Sequence, residues 1–223
     1  MNRENTEFLM DVLKKLSKIN YIKPGDVPNI NLYMDQVTTF MDEHLSDSKR
    51  HEDDKILTKT MINNYTKNDL LPPPVKKKYS KDHLYMLAFI YYFKNILCIN
   101  DIQKLLHPLT ENFFEAEADA VTDLDHIYKG VYDMCKSQIG NLSKDVINKA
   151  KLADSTLADM ADSEEKDFLQ LFYLVSVLSF DVYLKKNLIE SLIDAYSAKR
   201  EPGSVDKDKK KEKKETKNKK EKK

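Results

Sequence analysis

The chain has 223 residues, enough for one or two small domains with a real core, and its 37 basic and 37 acidic residues cancel. The cancellation hides a segregation: residues 206–223 carry 11 lysines against 5 acidic residues, so residues 1–205 are acidic overall. Four glycines leave no room for a Gly-rich phosphate loop, and the isolated Cys98 and Cys135 exclude a disulfide framework and read as buried free thiols in a reducing compartment. The N-terminus has no apolar signal core, and the longest charge-free apolar run, residues 168–180, is shorter than the roughly 20 residues a membrane span requires. A cytoplasmic protein with no membrane segment is the expectation.

Strand signals are nearly absent, so the chain reads as all-α. Residues 6–19 predict a helix with Phe8, Leu9, Val12, Leu13 and Leu16 on one face. Pro24, Gly25 and Pro28 break the chain. A second helix fits 31–45, where Leu32, Tyr33, Gln36, Val37, Phe40 and Met41 recur at helical spacing. Residues 46–55 are charged and aperiodic, a loop. Thr58 is the expected N-cap of a short helix reaching Lys67, because its hydroxyl can accept an orphan N–H of the first turn. Leu70, Leu71 and Pro72 to Pro74 stop it. Ser80 caps the next helix, which is apolar almost all round and therefore the central core helix, with His83 capping or lining its start. A short helix from Asn100 should end at Pro108.

In the C-terminal half a long helix is expected from about 110 to 137, a helical stretch over roughly 144–160, and a strongly apolar helix near 164–195. Phe114, Val121, Tyr128 and Cys135 fall seven apart, a pattern that suits packing in a bundle. From Glu201 onward the lysine-rich segment buries nothing and should be disordered. Five scattered histidines and no nucleophile motif leave no catalytic constellation. Asp119, Asp123 and His126 would share a helix face at i, i+4 and i+7, but a solvated face explains them equally well. No metal, no cofactor and no enzyme activity is expected.

One stretch asks for a partner. Between Thr58 and Lys81 lie six lysines and one aspartate, inside an otherwise acidic body. On the short helix, Met61, Ile62 and Tyr65 fall on one face and Thr60, Asn63, Asn64 and Lys67 on another. Amides on an exposed helix face can pair with adenine edges, and lysines neutralise phosphates.

The order of elements over 56–106 resembles the winged-helix DNA-binding domain of MerR-type regulators. Ile62 and Tyr65 match its recognition helix, Leu70-Leu71-Pro72 its exit, Lys77 and Tyr79 its basic wing, 80–97 its long helix and 99–106 its closing helix. The phrases LYMDQV (32–37), TMINNYTK (60–67) and KKKYS (76–80) are more specific. They resemble the bacterial domain-of-unknown-function family 1836, found mainly in Firmicutes, over about residues 26–110. Asn63 stands where MerR-type proteins usually place an arginine, and Lys76 to Lys78 replace a Gly-Tyr-Arg phrase, without arginine's planar fork.

The expected organisation is an N-terminal helix (1–25), a MerR-like winged helix-turn-helix domain (26–108), a helical C-terminal domain for dimerisation or effector binding (109–198) and a tail (199–223). The function implied is sequence-specific DNA binding in transcription regulation. Thr60, Asn63, Asn64 and Lys67 would face the major groove of double-stranded DNA, and Lys59, Lys76, Lys77 and Lys78 would hold phosphates. The protein would be a homodimer through its C-terminal helices, with the effector, if any, left open. The rival reading is a protein-interaction module on the same scaffold without DNA binding, favoured by the acidic body and the missing arginine.

Overall fold

In the computed structural model, which describes residues 3–19, 21–116 and 121–200, the central apolar run forms a helix with no solvent face: His83 to Tyr91 are all buried. A helix apolar on every side has to be surrounded. The elements are α1 (Arg3–Leu16), a 3-10 turn at Pro24–Asp26, β1 (Leu32–Tyr33), α2 (Met34–Leu45), a 3-10 turn at Ser46–Ser48, α3 (Lys59–Lys67), β2 (Lys78–Tyr79), the central α4 (Lys81–Phe93), α5 (Ile99–Asn112), α6 (Leu124–Thr156) and α7 (Glu164–Arg200). Seven helices and one two-stranded sheet make the described chain predominantly helical, as expected. Val37 and Met41 of α2, Ile62 of α3, Ile102 and Leu106 of α5, Leu124 and Tyr128 of α6 and Ile193 of α7 share one buried cluster with α4. Both long C-terminal helices therefore reach back into the core.

An aromatic cluster forms the seam between α4 and α6. Tyr85 stacks on Tyr128 at 4.1 Å, Phe89 lies 5.4 Å from Tyr128, and Tyr21 meets both Phe89 and Tyr128 edge-on at 6.1 Å. Each buried hydroxyl needs a partner. Tyr128 Oη donates to the Ile22 carbonyl at 2.9 Å, and Tyr85 Oη donates to the Asp125 carboxylate, which also pairs with Lys81. Burial pushes the Tyr21, Tyr85, Tyr92 and Tyr128 phenols far up, so all four stay neutral.

Several expected boundaries move. Leu32 and Tyr33 are a strand rather than the start of α2, because they pair antiparallel with Tyr79 and Lys78. Pro108 does not end α5, which continues to Asn112. A proline there costs one intrahelical hydrogen bond, and the packing of Leu105 and Leu109 against the core offsets the loss. No helix spans 110–137. The chain leaves helix at Phe113, Glu115 adopts a positive φ of 47°, and Asp123 starts α6 by accepting the His126 N–H at 2.8 Å. Phe114 is thereby free to cover His83 at 4.8 Å. Val121 is fully exposed, so the sevenfold apolar spacing does not extend to it. Asp123 is a cap and not part of a shared helix face with His126, and Asp119 lies outside the described residues. The two helical stretches expected on either side of Gly140 are one helix, α6, which packs on α7 and continues despite a glycine cost of about 1 kcal/mol. The tail from residue 201 also lies outside the described residues.

α7 has no dominant polar face. By length and composition alone it could cross a membrane, and only 11 % of its most apolar window is buried.

His83 supports the junction beneath β2. It is 1 % exposed, its Nδ1 accepts the Ser80 N–H at 3.0 Å as the return bond of a capping box, and its ring is crossed by Tyr79 and Phe114. Nδ1 as acceptor puts the proton on Nε2, which is buried without a hydrogen-bond partner among the described residues. Burial lowers its pKa below 6.5, against an opposing pull from Glu115. A depressed histidine favours the folded state above pH 6.5 and gives up that contribution as pH falls toward its folded value. Unfolding titrations in urea at pH 7.5 and pH 5 should therefore show wild type losing stability relative to His83→Gln, which keeps an accepting oxygen for the cap. A constant difference at the two values would remove the assignment.

Candidate nucleic-acid interface

The geometry of α3 is set by its ends. Thr58 Oγ1 accepts the Met61 N–H at 3.1 Å, the N-cap its position implied. At the other end Asp69 takes a positive φ of 54°, Leu70 N–H reaches back to the Tyr65 carbonyl at 2.9 Å, and Asp69 N–H reaches Thr66 at 3.3 Å. This is a Schellman closure, and it delivers Leu70 and Leu71 into the core. Two capped ends and two buried residues, Ile62 and Tyr65, fix the rotation of the helix about its axis. That rotation leaves Lys59, Thr60, Asn63, Asn64 and Lys67 exposed, the face the spacing predicted.

The three prolines carry the chain away from α3 to a tight hairpin. Val75 and Lys78 bridge, with Lys78 N–H on the Val75 carbonyl at 3.0 Å, and Lys76 and Lys77 both have positive φ, 51° and 64°. Positive φ at both central residues is what a type I′ turn requires, and Asn-Gly is the favoured pair. Two lysines there are strained, each at a cost of roughly 1 kcal/mol. The hairpin is held from behind: β2 pairs with β1, and Tyr79 is buried against His83. The tip therefore projects Lys76 and Lys77 into solvent.

The lysines divide into two groups. Lys59 is ion-paired with Asp35 of α2, and Lys78 lies half-buried with its ammonium 5.2 Å from the centre of the Tyr33 ring. Lys67, Lys76 and Lys77 are exposed and have no ion-pair partner among the described residues. Tyr33 and Asp35 were missed by sequence reasoning. A strand of two residues has no readable period, and the Lys59–Asp35 pair joins two helices across an intervening loop. Asp69, at the exit of α3, is the one acidic residue within the segment from Thr58 to Lys81, and it is exposed. No group of three or more His, Cys, Asp or Glu that could hold a metal occurs among the described residues.

Residues 22–131 match the family model described as Domain of unknown function (DUF1836), a span from the first core residue, Ile22, to Val131 on α6. No curated protein and no solved structure matches the chain.

The strain at the hairpin tip gives a direct test of its geometry. Replacing Lys76 by Asn and Lys77 by Gly together should raise folding stability by about 1–2 kcal/mol in a urea titration, because both residues relieve a positive-φ cost. A destabilised double variant would mean that the tip is not a type I′ turn.

Proposed function

We propose that the chain, whose residues 22–131 are a DUF1836 domain, is a sequence-specific DNA-binding regulator of the MerR-like winged helix-turn-helix type. The observation that carries the reading is the pairing of two features on one basic segment. A doubly capped helix exposes amides and a lysine, and a strained hairpin beside it in sequence exposes two more lysines. In this reading α3 enters the major groove, with Asn63 and Asn64 reading base edges and Thr60 and Lys67 beside them. Lys76 and Lys77 hold phosphates of the flanking backbone, and Lys59 and Lys78 contribute charge from restrained positions. Tyr79 fixes the wing by packing.

The expected behaviour separates these roles. The Lys76→Asn, Lys77→Gly variant should bind every duplex more weakly, with the log–log salt slope reduced by roughly 2, one for each phosphate no longer neutralised. Gaining stability while losing affinity is a combination that general damage to the fold cannot produce. Asn63→Ala should instead cost on the order of 1–3 kcal/mol on the preferred site and little on random duplex. Should fluorescence titrations against mixed duplex at two salt concentrations detect no binding, the rival stands: an interaction module on this scaffold with no nucleic-acid surface.

One short recognition helix reads only a few base pairs, so two copies acting together belong to the same reading. Twelve large apolar side chains of α7 are 39–63 % exposed, Phe168, Phe172, Val182 and Leu188 among them. Each exposes of the order of 100 Å², so together they exceed the few hundred Å² usual on a monomer and reach the about 800 Å² per partner of a standard interface. A second copy suits this surface better than a bilayer does. The Lys149–Asp181 ion pair sits midway along α7, and α6 lies beside it with Lys136, Lys144 and Lys151 exposed. Acidic Glu164 and Glu165 at one end and Lys185, Lys186 and Lys199 toward the other favour an antiparallel α7 pair. Val182→Asp with Leu188→Glu should convert a dimer to a monomer in light scattering without loss of helix signal. A wild-type chain that is monomeric at micromolar concentration, or that partitions into liposomes, would overturn the pairing.

A further inference from the structure

The hairpin that carries Lys76 and Lys77 has a second surface behind its tip. β1 and β2 place Tyr33 opposite Lys78, and the Val75–Lys78 bridge adds a third residue to the same rung. Residues directly opposite one another in antiparallel strands project to one face of the sheet. The next rung, Leu32 and Tyr79, is buried in the core, so the row Val75–Lys78–Tyr33 takes the outer face. Tyr33 is 54 % exposed and Val75 61 % exposed. Lys78 lies between them, its ammonium 5.2 Å from the Tyr33 ring centre, inside the roughly 6 Å over which a ring face attracts a cation. Single apolar residues on a surface are ordinary. An aliphatic, a cation and an aromatic in register on one rung form a surface of defined chemistry. Both ends of the row join the rest of the basic segment. Lys76 and Lys77 close the turn between Val75 and Lys78. At the other end, Gln36 Oε1 accepts the Tyr33 N–H at 2.9 Å, and Asp35, two residues on, pairs with Lys59 in the first turn of α3.

Apolar side chains on either side of a held ammonium suit a sugar–phosphate backbone, whose phosphates attract the cation and whose deoxyriboses present C–H faces. We propose that the outer face of the hairpin is a second backbone-binding surface of the protein. On it Tyr33 and Val75 pack against neighbouring deoxyriboses of one DNA strand, and Lys78 meets the phosphate between them. Strands about 4.8 Å apart set Val75 and Tyr33 on opposite sides of Lys78, as this arrangement needs. The Tyr33 ring keeps the ammonium in place, so little side-chain freedom is lost when the phosphate arrives. Asp35 would meet that phosphate with like charge, and its ion pair with Lys59 offsets the repulsion. This contact presupposes the DNA-binding reading and adds to it a residue of β1, Tyr33, that belongs neither to α3 nor to the lysine tip. Being uncharged, Tyr33 contributes affinity without releasing a counterion, and Lys78 contributes with release of one.

The chain has no tryptophan, so Tyr33→Trp gives a full-length protein with one fluorophore on this face. Saturation with a mixed-sequence duplex should lower acrylamide quenching of that tryptophan at least twofold. In Leu142→Trp, on α6 outside the matched domain, quenching should not change. Tyr33→Ser, which gives α2 a preferred N-cap residue, should weaken duplex binding at least fivefold with an unchanged log–log salt slope. Tyr33→Phe should bind within twofold of wild type, and Lys78→Met should bind more weakly with the slope lowered by about 1. The Lys76→Asn, Lys77→Gly variant, titrated alongside, reports on the tip alone. If it loses affinity and slope while the tryptophan of Tyr33→Trp stays as quenchable as in free protein, this surface is refuted and the DNA-binding reading stands. If no form of the chain binds duplex, both fall. Tighter binding of single-stranded DNA than of duplex, with the difference abolished by Tyr33→Ser, would make Tyr33 a platform for bases and overturn the sugar contact.

Discussion

Everything in this molecule is arranged around the need to keep α4 dry. A stretch in which His83 to Tyr91 are all buried cannot be covered by the two or three short helices of a minimal helix-turn-helix. The chain recruits cover from far along its length, Leu124 and Tyr128 from α6 and Ile193 from α7, and Tyr128 closes the gap with a hydrogen bond to the Ile22 carbonyl. The match to the family ends at residue 131, just past these residues. The first turns of α6 therefore belong energetically to the core of the candidate DNA-binding half, although they begin a helix that runs away from it.

The same constraint accounts for the shape of the basic surface. Because Leu70, Leu71 and Tyr79 must all enter the core, the chain between them has only Pro72 to Lys78 in which to turn round. Three prolines hold most of that length in extended conformation, so the reversal falls on the Val75–Lys78 bridge and forces Lys76 and Lys77 into positive φ. Pairing of β2 with β1 then fixes the hairpin to the residues just before α2. Lysines are poor turn residues and were not needed for solubility in a chain with 33 % charged residues. Their cost at the tip is one that the proposed phosphate contacts would account for.

What the sequence made legible is local. Thr58 and Ser80 cap helices where their position before an apolar-periodic run said they would, and the exposed face of α3 followed from the spacing of Ile62 and Tyr65. What it hid depends on residues distant in sequence. The β1–β2 pair has two residues a side and no period, and Asp35 meets Lys59 only after the 13-residue connection Ser46 to Thr58 has folded back. Pro108 and Gly140 look like stops and are not, because packing of α5 on the core and of α6 on α7 outweighs local propensity. Asp123 and Glu115 read as a cap and a turn only when no long helix is drawn over 110–137.

α7 carries the remaining tension, because its two halves are anchored differently. Near its start, Gln170 and Leu174 are buried. Near its end, Ile193 joins the core under α4, and Asp194 pairs with Lys104 of α5 at 3.4 Å. Between these anchors large apolar side chains from Val175 to Leu192 are exposed. A single helix thus touches the proposed contact with a second copy and the core that orients α3. Coupling between the two needs no long chain of intermediates. It needs only that pairing of two copies shift α7, because Ile193 near its end is buried in the same core as α4.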